Sequence, residues 1–197
     1  SYAGAWGWTS TKAYQSEVAL ADTHYAPLFD KYLALDIKAV SVDPEARRMG
    51  ERLFVNYCTQ CHGSDARGSR GFPNLTDNDW LYGGEPEKIE ETIIAGRSGV
   101  MPPLGPALGD EGVKAVANYA LSLSGAKHDA ALAEKGKSMF AMCAACHGPE
   151  GKGNQALGAP NLTDKIWLYG GTLQTVMETV AKGRNGQMPA HKDFLGT

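Results

Sequence analysis

The sequence lacks a long apolar run and carries little net charge. Its 197 residues contain no stretch of about 18 or more apolar residues, so no helix within it is expected to span a membrane. No signal-peptide pattern opens it. The formal net charge of −3 leaves no basic excess, which argues against nucleic acid as a partner. Cysteines number only four, and their spacing is more informative than their count.

What the sequence does contain is a repeat. The phrase NLTDNDWLYGG at 74–84 returns as NLTDKIWLYGG at 161–171, an offset of 87 residues. Two flanking phrases also return: YCTQCHG as MCAACHG at an offset of 85, and AGRSGVMPP as KGRNGQMPA at an offset of 87. The two-residue difference in offset lies in the loop that joins the CHG phrase to the NLTD phrase in each repeat, where insertions cost least. The pattern indicates a tandem duplication and two similar sites.

Both repeats are predicted to be helical, so the fold class is all-α. One helix leads into each Cys motif, at 44–58 and 129–143, and a second follows each WLYGG phrase, with Pro86 as a first-turn residue in repeat one. A third helix, 110–124, is expected in repeat one alone, with Asp110 as its N-cap. Its predicted buried stripe consists of Val113, Val116, Ala117 and Ala120.

These elements predict the domain organisation. Two small domains of about 70–80 residues are expected to need a cofactor to complete their cores. The predicted segments are an N-terminal extension at 1–44, a first domain at 45–124, a linker at 125–128 and a second domain at 129–197.

The spacing C-x-x-C-H is the attachment signal of c-type haem. Two thiols three residues apart can each add to one haem vinyl group, and the adjacent histidine can bind the iron. The sequence therefore predicts two covalently attached haem c groups. Their thioether and proximal residues would be Cys58, Cys61 and His62 in repeat one, and Cys143, Cys146 and His147 in repeat two.

An iron that only carries electrons needs its sixth position filled, and methionine is the usual ligand. Met101 and Met188 each lie in a G-x-Met-Pro loop downstream of a haem motif, one in each repeat. Each is therefore predicted to be the second axial ligand of a haem. His191, three residues after Met188, is a rival ligand. The other methionines are expected in the core, and His24 and His128 are expected to be ordinary surface or packing residues.

Two other uses of the cysteines are weaker interpretations. Two disulfides would explain neither adjacent histidine. A zinc site built from all four cysteines would need its pairs closer in sequence, typically about 15–20 residues apart.

The repeated phrase is predicted to form part of each haem pocket wall. Trp80 and Trp167 could cover the ring edge and reach a propionate with their N–H groups. Further propionate candidates are Tyr82, Tyr169, Arg97 and Arg184, because a partly buried carboxylate needs donors or a counter-charge. Plain core packing of the aromatics, and solvated charges for the arginines, stay open as alternatives.

With these motifs placed, the chain resembles the diheme cytochrome c subunit, the third or P subunit, of cbb3-type cytochrome c oxidases. The resemblance rests on both C-x-x-C-H units, on NLTDxxWLYGG and GRxGxMP in each repeat, and on the leader SYAGAWGWTSTKAYQSEVALADTHYAPLFDKYLALDI. It covers nearly the whole chain. It implies two tandem cytochrome c domains, an anchor in the membrane before them, and a place on the periplasmic side of the bacterial inner membrane.

The resemblance also implies a function and partners. Such a subunit relays electrons from soluble cytochrome c donors toward the monohaem cytochrome c subunit and the catalytic haem–copper subunit, where O2 is reduced. Catalysis by this chain alone is not expected. The alternatives are a free periplasmic diheme shuttle of the cytochrome c4 type and a diheme peroxidase. The Met loops argue against the peroxidase, and the leader argues against the shuttle.

Two expectations concern the ends of the chain. The leader, 1–44, is expected to pack on other subunits, because HYAPLFDKYLALDI at 24–37 is too apolar to lie free in water. Residue 197 aligns with Asp110, where the third helix of repeat one is predicted to start. A further amphipathic helix of about 12–15 residues is therefore expected after it, covering a groove beside the second haem.

Overall fold

The protein is built of helices and one short two-stranded ladder, in a computed structural model that describes residues 7–195 apart from the side chain of Phe194. The helices are α1 (Ser10–Leu33), α2 (Ile37–Val42), α3 (Pro44–Tyr57), α4 (Thr59–His62), α5 (Pro86–Ala95), α6 (Gly105–Leu123), α7 (Ala130–Met139), α8 (Ala141–His147), α9 (Leu173–Lys182) and α10 (Lys192–Leu195). The strands are β1 (Arg97–Met101) and β2 (Arg184–Met188). Between residues 7 and 195, no helix is both long and apolar enough to cross a bilayer.

The chain separates into two compact units, and the division falls after Phe54. The second unit, which begins at Val55, contains both C-x-x-C-H motifs. The predicted boundaries of two haem domains, 45–124 and 129–197, concern autonomous folding and stay a prediction.

The first unit is dominated by α1, a helix of 24 residues that the sequence reasoning did not predict. Its N-cap is Thr9, whose hydroxyl accepts the Lys12 N–H at 3.1 Å. No residue of α1 is buried, and large apolar side chains such as Leu20 and Tyr25 are exposed. This surface agrees with the apolar character expected of the leader, but its packing on other subunits stays a prediction.

The core of the second unit forms around α6, the third helix of repeat one. Gly109 breaks its first turn with φ 62° and ψ 173°, so the regular helix starts at Asp110, as predicted. The predicted stripe is confirmed, since all four of its residues are buried. The stripe packs on residues of repeat two, namely Phe140, Cys143, Val176 and Val180.

The partners of α6 therefore belong to the other repeat. It packs against α7 and α9, and its contact with α7 is close, because a Cβ added at Gly136 would lie 2.2 Å from the Ala115 carbonyl oxygen. The segment before α6 also contacts repeat two, because the Leu104 N–H donates to the Val180 carbonyl at 3.0 Å.

Repeat two contacts repeat one in the corresponding way. The His191 N–H donates to the Ile93 carbonyl at 2.9 Å, and α10 contacts α5 of repeat one. At the offset of 87, His191 is the counterpart of Leu104 and Ile93 that of Val180. Each repeat thus lays the segment after its GRxGxMP phrase on the other repeat.

The ladder of β1 and β2 joins the two repeats. The sequence reasoning had placed both segments in loops. The strands pair antiparallel, with Gly99 opposite Gly186 at the centre. Arg97 lies opposite Met188 and Met101 opposite Arg184. The ladder therefore has an approximate two-fold axis between its central glycines.

The predicted continuous helix at 129–143 was wrong at one point. Helix α7 ends at Met139 and α8 begins at Ala141. The residue between them, Phe140, is 4% exposed and packs edge-to-face on Tyr119 at 5.1 Å. Burial of this ring accompanies the break in the helix axis. In repeat one, α3 (Pro44–Tyr57) agrees with the predicted 44–58.

Candidate functional site

Each haem motif is formed by a short helix that ends at its histidine. Cys58 precedes α4, while Cys143 and Cys146 lie within α8. A helical turn brings side chains three residues apart to one face, as attachment of two sulfurs to one porphyrin requires. No disulfide joins any of the four cysteines. Burial raises the pKa of the Cys58 and Cys143 thiols, and the neighbouring thiol of each pair adds to the rise.

Both motif histidines are buried, and each ring is oriented by its own backbone carbonyl. His62 is 8% exposed and His147 7% exposed. The Nδ1 of His62 lies 3.0 Å from the Pro73 oxygen, and that of His147 lies 2.9 Å from the Pro160 oxygen. A carbonyl oxygen only accepts, so Nδ1 carries the proton and Nε2 keeps its lone pair. This is the arrangement of a metal-binding imidazole, and the residues present therefore fit a haem iron.

The loop after each motif has the same frame in both repeats. The carbonyl of His62 accepts the Gly68 N–H at 2.7 Å, and the carbonyl of His147 accepts the Gly153 N–H at 2.8 Å. The loops then differ, since one closes by a bridge between Ser69 and Phe72 and the other by a bridge from 154 to 159. The two-residue insertion is thus confined to this loop, as the repeat alignment predicted.

Between residues 7 and 195, no group of three or more Cys, His, Asp and Glu side chains is placed to bind a metal ion.

The two candidate methionine ligands lie at opposite ends of the ladder. Met101 packs against the buried cluster that joins α6 of repeat one to Phe140, Cys143, Val176 and Val180 of repeat two. A Cβ added at Gly183, also in repeat two, would lie 2.3 Å from the Met101 carbonyl oxygen.

Met188 shows the mirror arrangement. A Cβ added at Gly96 of repeat one would lie 2.5 Å from the Met188 carbonyl oxygen. The sequence assigned one methionine to each repeat, and the ladder places the backbone of each methionine beside the other repeat. Its neighbour His191 uses its backbone N–H on Ile93, in the same exchanged segment.

The WLYGG phrase forms a turn closed on its own tryptophan. The first glycine, Gly83 or Gly170, has φ 101° or 106°. The second glycine lies against the indole, since an added Cβ would be 2.6 Å from the Trp80 ring in repeat one and 2.7 Å from the Trp167 ring in repeat two. Both tryptophans are half-buried, and Trp167 packs on the buried cluster.

The tyrosines of the phrase reach across to the other repeat. A Cβ added at Gly158 would lie 2.2 Å from Tyr82, and one added at Gly71 would lie 3.5 Å from Tyr169. Gly71 and Gly158 are counterparts at the offset of 87. The Gly71 N–H also donates to the Leu168 carbonyl at 2.8 Å. The repeated phrase therefore contributes to the contact between the repeats.

Each candidate arginine stacks on one of these tyrosines. Arg97 lies 5.0 Å from the Tyr82 ring centroid, and Arg184 lies 4.6 Å from that of Tyr169. Their Nε atoms donate to threonine hydroxyls, Arg97 to Thr92 at 2.9 Å and Arg184 to Thr179 at 3.0 Å. The arginines are therefore held in place, not freely solvated.

The carboxylates beside the two arginines differ. Arg97 donates to Glu91 at 2.9 Å, and the hydrogen bonds from Arg97 and Lys88 lower the pKa of Glu91 to about 2. Arg184 lies 3.8 Å from Glu178, and its Nη2 is buried with no hydrogen-bond partner within the described residues. The sequence reasoning missed both acids, although the 87-residue offset relates them.

The other histidines have ordinary surroundings. His24 packs edge-on against Tyr25, with ring centroids 4.8 Å apart. The Nδ1 of His128, which is exposed, lies 2.7 Å from the Ala126 carbonyl oxygen.

Comparison with known proteins agrees with these observations. Residues 45–119 match the family model of cytochrome c oxidase, cbb3-type, subunit III, and residues 133–195 match that of cytochrome c. Among individual relatives, the chain is 53% identical over 193 residues to the cbb3-type cytochrome c oxidase subunit CcoP of Rubrivivax gelatinosus, covering 98% of this chain and 64% of that protein.

Two further relatives are the cbb3-type cytochrome c oxidase subunits FixP of Azorhizobium caulinodans and Sinorhizobium medicae. The first is 40% identical over 95% of this chain and 69% of its own length. The second is 38% identical over 98% of this chain and 72% of its own length. The chain thus spans roughly two thirds of the length of these relatives. Near-complete coverage of the chain, together with two haem c attachment motifs, shows that it belongs to the diheme cytochrome c subunits, subunit III, of the cbb3-type cytochrome c oxidases.

Proposed function

We propose that this protein is an electron-transfer subunit that relays electrons between its two haem c groups and passes them to a haem–copper oxidase core. The observation that carries the proposal is that both copies of the motif end in a buried histidine. The Nδ1 of each histidine is hydrogen-bonded to one backbone carbonyl. When bound, each haem supplies an iron that takes up and releases one electron. No acid, base or nucleophile of the chain is assigned a catalytic role.

The attachment residues follow from the motifs. Cys58 and Cys61 would hold one haem and Cys143 and Cys146 the other, each pair through two thioethers. His62 and His147 would bind the irons through Nε2, because Nδ1 is already used in a hydrogen bond. That bond also fixes the ring plane and raises the basicity of the ligand.

The axial methionines are assigned across the repeats. The haem of His62 would take Met188, and the haem of His147 would take Met101. This assignment is supported by the ladder, which pairs Met101 with Arg184 and Met188 with Arg97, and by the contacts of the Met101 and Met188 carbonyls with Gly183 and Gly96. A thioether ligand favours Fe(II) and closes the sixth position, which suits a carrier and disfavours peroxide chemistry.

The haem propionates are assigned to the residues around the repeated phrase. Trp80 and Trp167 would lie along the ring edges, and Tyr82 and Tyr169 would donate through their hydroxyls. Arg97 and Arg184 would supply positive charge, although each already has a threonine and a glutamate beside it. The proposed cytochrome c domains are 45–124 and 129–197, and each would supply the attachment motif of one haem.

The proposed setting is the periplasmic face of the bacterial inner membrane. The partners would be the monohaem cytochrome c subunit and the catalytic haem–copper subunit, with soluble cytochrome c as donor. The family membership supports this setting, since the relatives are named as cbb3-type oxidase subunits.

The leader would serve as the docking segment within this complex. The exposed apolar side chains of α1, such as Tyr14, Leu20 and Phe29, supply the surface for it. Deletion of 1–36 should leave both haems bound but reduce recovery of this subunit with the oxidase core. Full recovery after the deletion would contradict the docking role.

The test of the proposed function is spectroscopic and potentiometric. The holoprotein should show two low-spin haems with a sulfur–iron charge-transfer band, no turnover of H2O2 and no rapid cyanide binding. Met101→His and Met188→His should each keep a low-spin haem and lower the potential of one haem, because nitrogen favours Fe(III) more than the thioether does. Peroxide turnover, or unchanged potentials in both variants, would contradict the proposal.

A further inference from the structure

The inner face of the ladder carries a symmetric set of functional side chains. Burial alternates along both strands, so residues 97, 99 and 101 face inward together with 184, 186 and 188. Directly opposite residues of an antiparallel pair share a face. Each end of this face therefore presents one arginine beside one methionine, and its centre presents only the two glycines.

The hydroxyls of two tyrosines meet this centre. A Cβ added at Gly99 would lie 2.8 Å from the Tyr82 hydroxyl oxygen, and one added at Gly186 would lie 3.5 Å from that of Tyr169. Because Gly99 and Gly186 are direct partners in the ladder, both phenols lie at the midpoint between the two candidate methionine ligands. Glycine at these positions leaves room for the rings to approach.

Both hydroxyls are free to donate to a ligand. Neither has a hydrogen-bond partner among residues 7–195, and neither is fully buried, since the one buried unpaired side-chain atom in that range is Nη2 of Arg184. A guanidinium stacks on each phenol ring and places positive charge beside it. Two donors close to two cations form a site that suits a carboxylate.

We propose that Tyr82 and Tyr169 form one shared carboxylate-binding site at the centre of the ladder, which takes a propionate of each haem and couples the two haem potentials. This inference rests on the proposed function, because the carboxylates are those of the bound haems. Each tyrosine then acts on both haems, not only on the haem of its own repeat. The reason is electrostatic, since a change in hydrogen bonding to one carboxylate is felt by the other a short distance away.

The test is a redox titration of the holoprotein that follows both haems. Tyr82→Phe removes one donor, which leaves more negative charge near the irons and favours Fe(III). We expect both midpoint potentials to fall, each by about threefold to tenfold in the reduction equilibrium, where tenfold corresponds to about 59 mV for one electron. Tyr169→Phe should do the same.

A matched control and a steric variant sharpen this test. Tyr119→Phe removes the hydroxyl of a tyrosine on α6 whose ring packs edge-to-face on Phe140, and it should move neither potential. Gly99→Ala should reproduce Tyr82→Phe, because its Cβ would displace the Tyr82 hydroxyl at 2.8 Å. Gly186→Ala should have a smaller effect, because 3.5 Å to Tyr169 is an ordinary contact.

The outcomes separate this inference from the proposed function. If Tyr82→Phe keeps two low-spin haems but shifts only one potential, or neither, the shared site is refuted while the electron carrier stands. If the wild type lacks two low-spin haems, the proposed function itself fails. Added acetate at constant ionic strength should change nothing. A potential that followed acetate would show a dissociable anion in the site and would overturn the haem-carboxylate assignment.

Discussion

Helix α9 of repeat two and its counterpart α5 of repeat one share a place in the repeat but not a degree of burial. Val176 and Val180 of α9 are each 5% exposed. At the same positions α5 has Ile89, which is partly buried, and Ile93, which is 37% exposed. The sequence would rank the isoleucines as the better core residues, so the difference comes from what covers each helix.

The cover of repeat two is α6, which belongs to repeat one in sequence. The comparison therefore teaches that the core of repeat two is completed by a helix from repeat one. Helix α6 occupies one face of α7 and α9 in repeat two. The further helix expected after residue 197, and the groove that it would cover, stay a prediction.

The largest expected effect on stability is at Gly136, where α6 crosses α7. Gly136→Ala puts a Cβ 2.2 Å from the Ala115 carbonyl, which forces α6 and α7 apart. We expect a loss of about 3 kcal/mol in the free energy of unfolding, measured on the holoprotein with denaturant.

The control for that variant is Gly50→Ala in α3. A Cβ there meets no atom within 4 Å, so the higher helix propensity of alanine should stabilise the protein by about 0.5–1 kcal/mol. Equal effects at the two glycines would contradict the close crossing of α6 and α7.

A smaller difference is expected between α9 and α5. Val180→Ala should destabilise the holoprotein by about 2 kcal/mol, because it leaves a cavity under α6. Ile93→Ala removes a larger side chain but should cost less, since 37% of Ile93 is exposed. The measurement is the midpoint of denaturant unfolding for each variant. A greater loss at Ile93 would mean that α5, not α9, lies under a helix.

The smallest effect concerns the two arginine sites. Glu91 has a pKa lowered from 4.5 to about 2, mainly by the hydrogen bond from Arg97. The stability from this pair is therefore present above about pH 4.5 and is lost as the pH falls toward 2. Glu91→Gln should flatten the fall of the unfolding midpoint in that window. Glu178→Gln, whose carboxylate lies 3.8 Å from Arg184, is the control and should change the profile less.

The sequence predicted the chemistry better than the connectivity. The spacing of C-x-x-C-H is dictated by haem attachment, and the stripe on α6 follows from helical periodicity. The exchange could not be predicted, because either repeat offers α6 nearly the same surface. Only contacts such as Leu104 with Val180 decide between them.

The ladder escaped prediction for a related reason. RSGVM and RNGQM are short, contain glycine and have no β-branched alternation beyond one valine, so neither reads as a strand alone. They become strands because each is the other's partner across the two-fold axis. The leader helix was missed because its apolar residues do not follow one helix face, and none is buried.

The central claim is that each haem takes its histidine from one repeat and its methionine from the other. The direct measurement is the sulfur–iron charge-transfer band in a variant with Cys143→Ala and Cys146→Ala, which keeps only the haem on Cys58 and Cys61. In this background, Met188→Ala should abolish the band and Met101→Ala should leave it unchanged. Loss of the band with Met101→Ala, and its survival with Met188→Ala, would contradict the exchange and return each methionine to its own repeat.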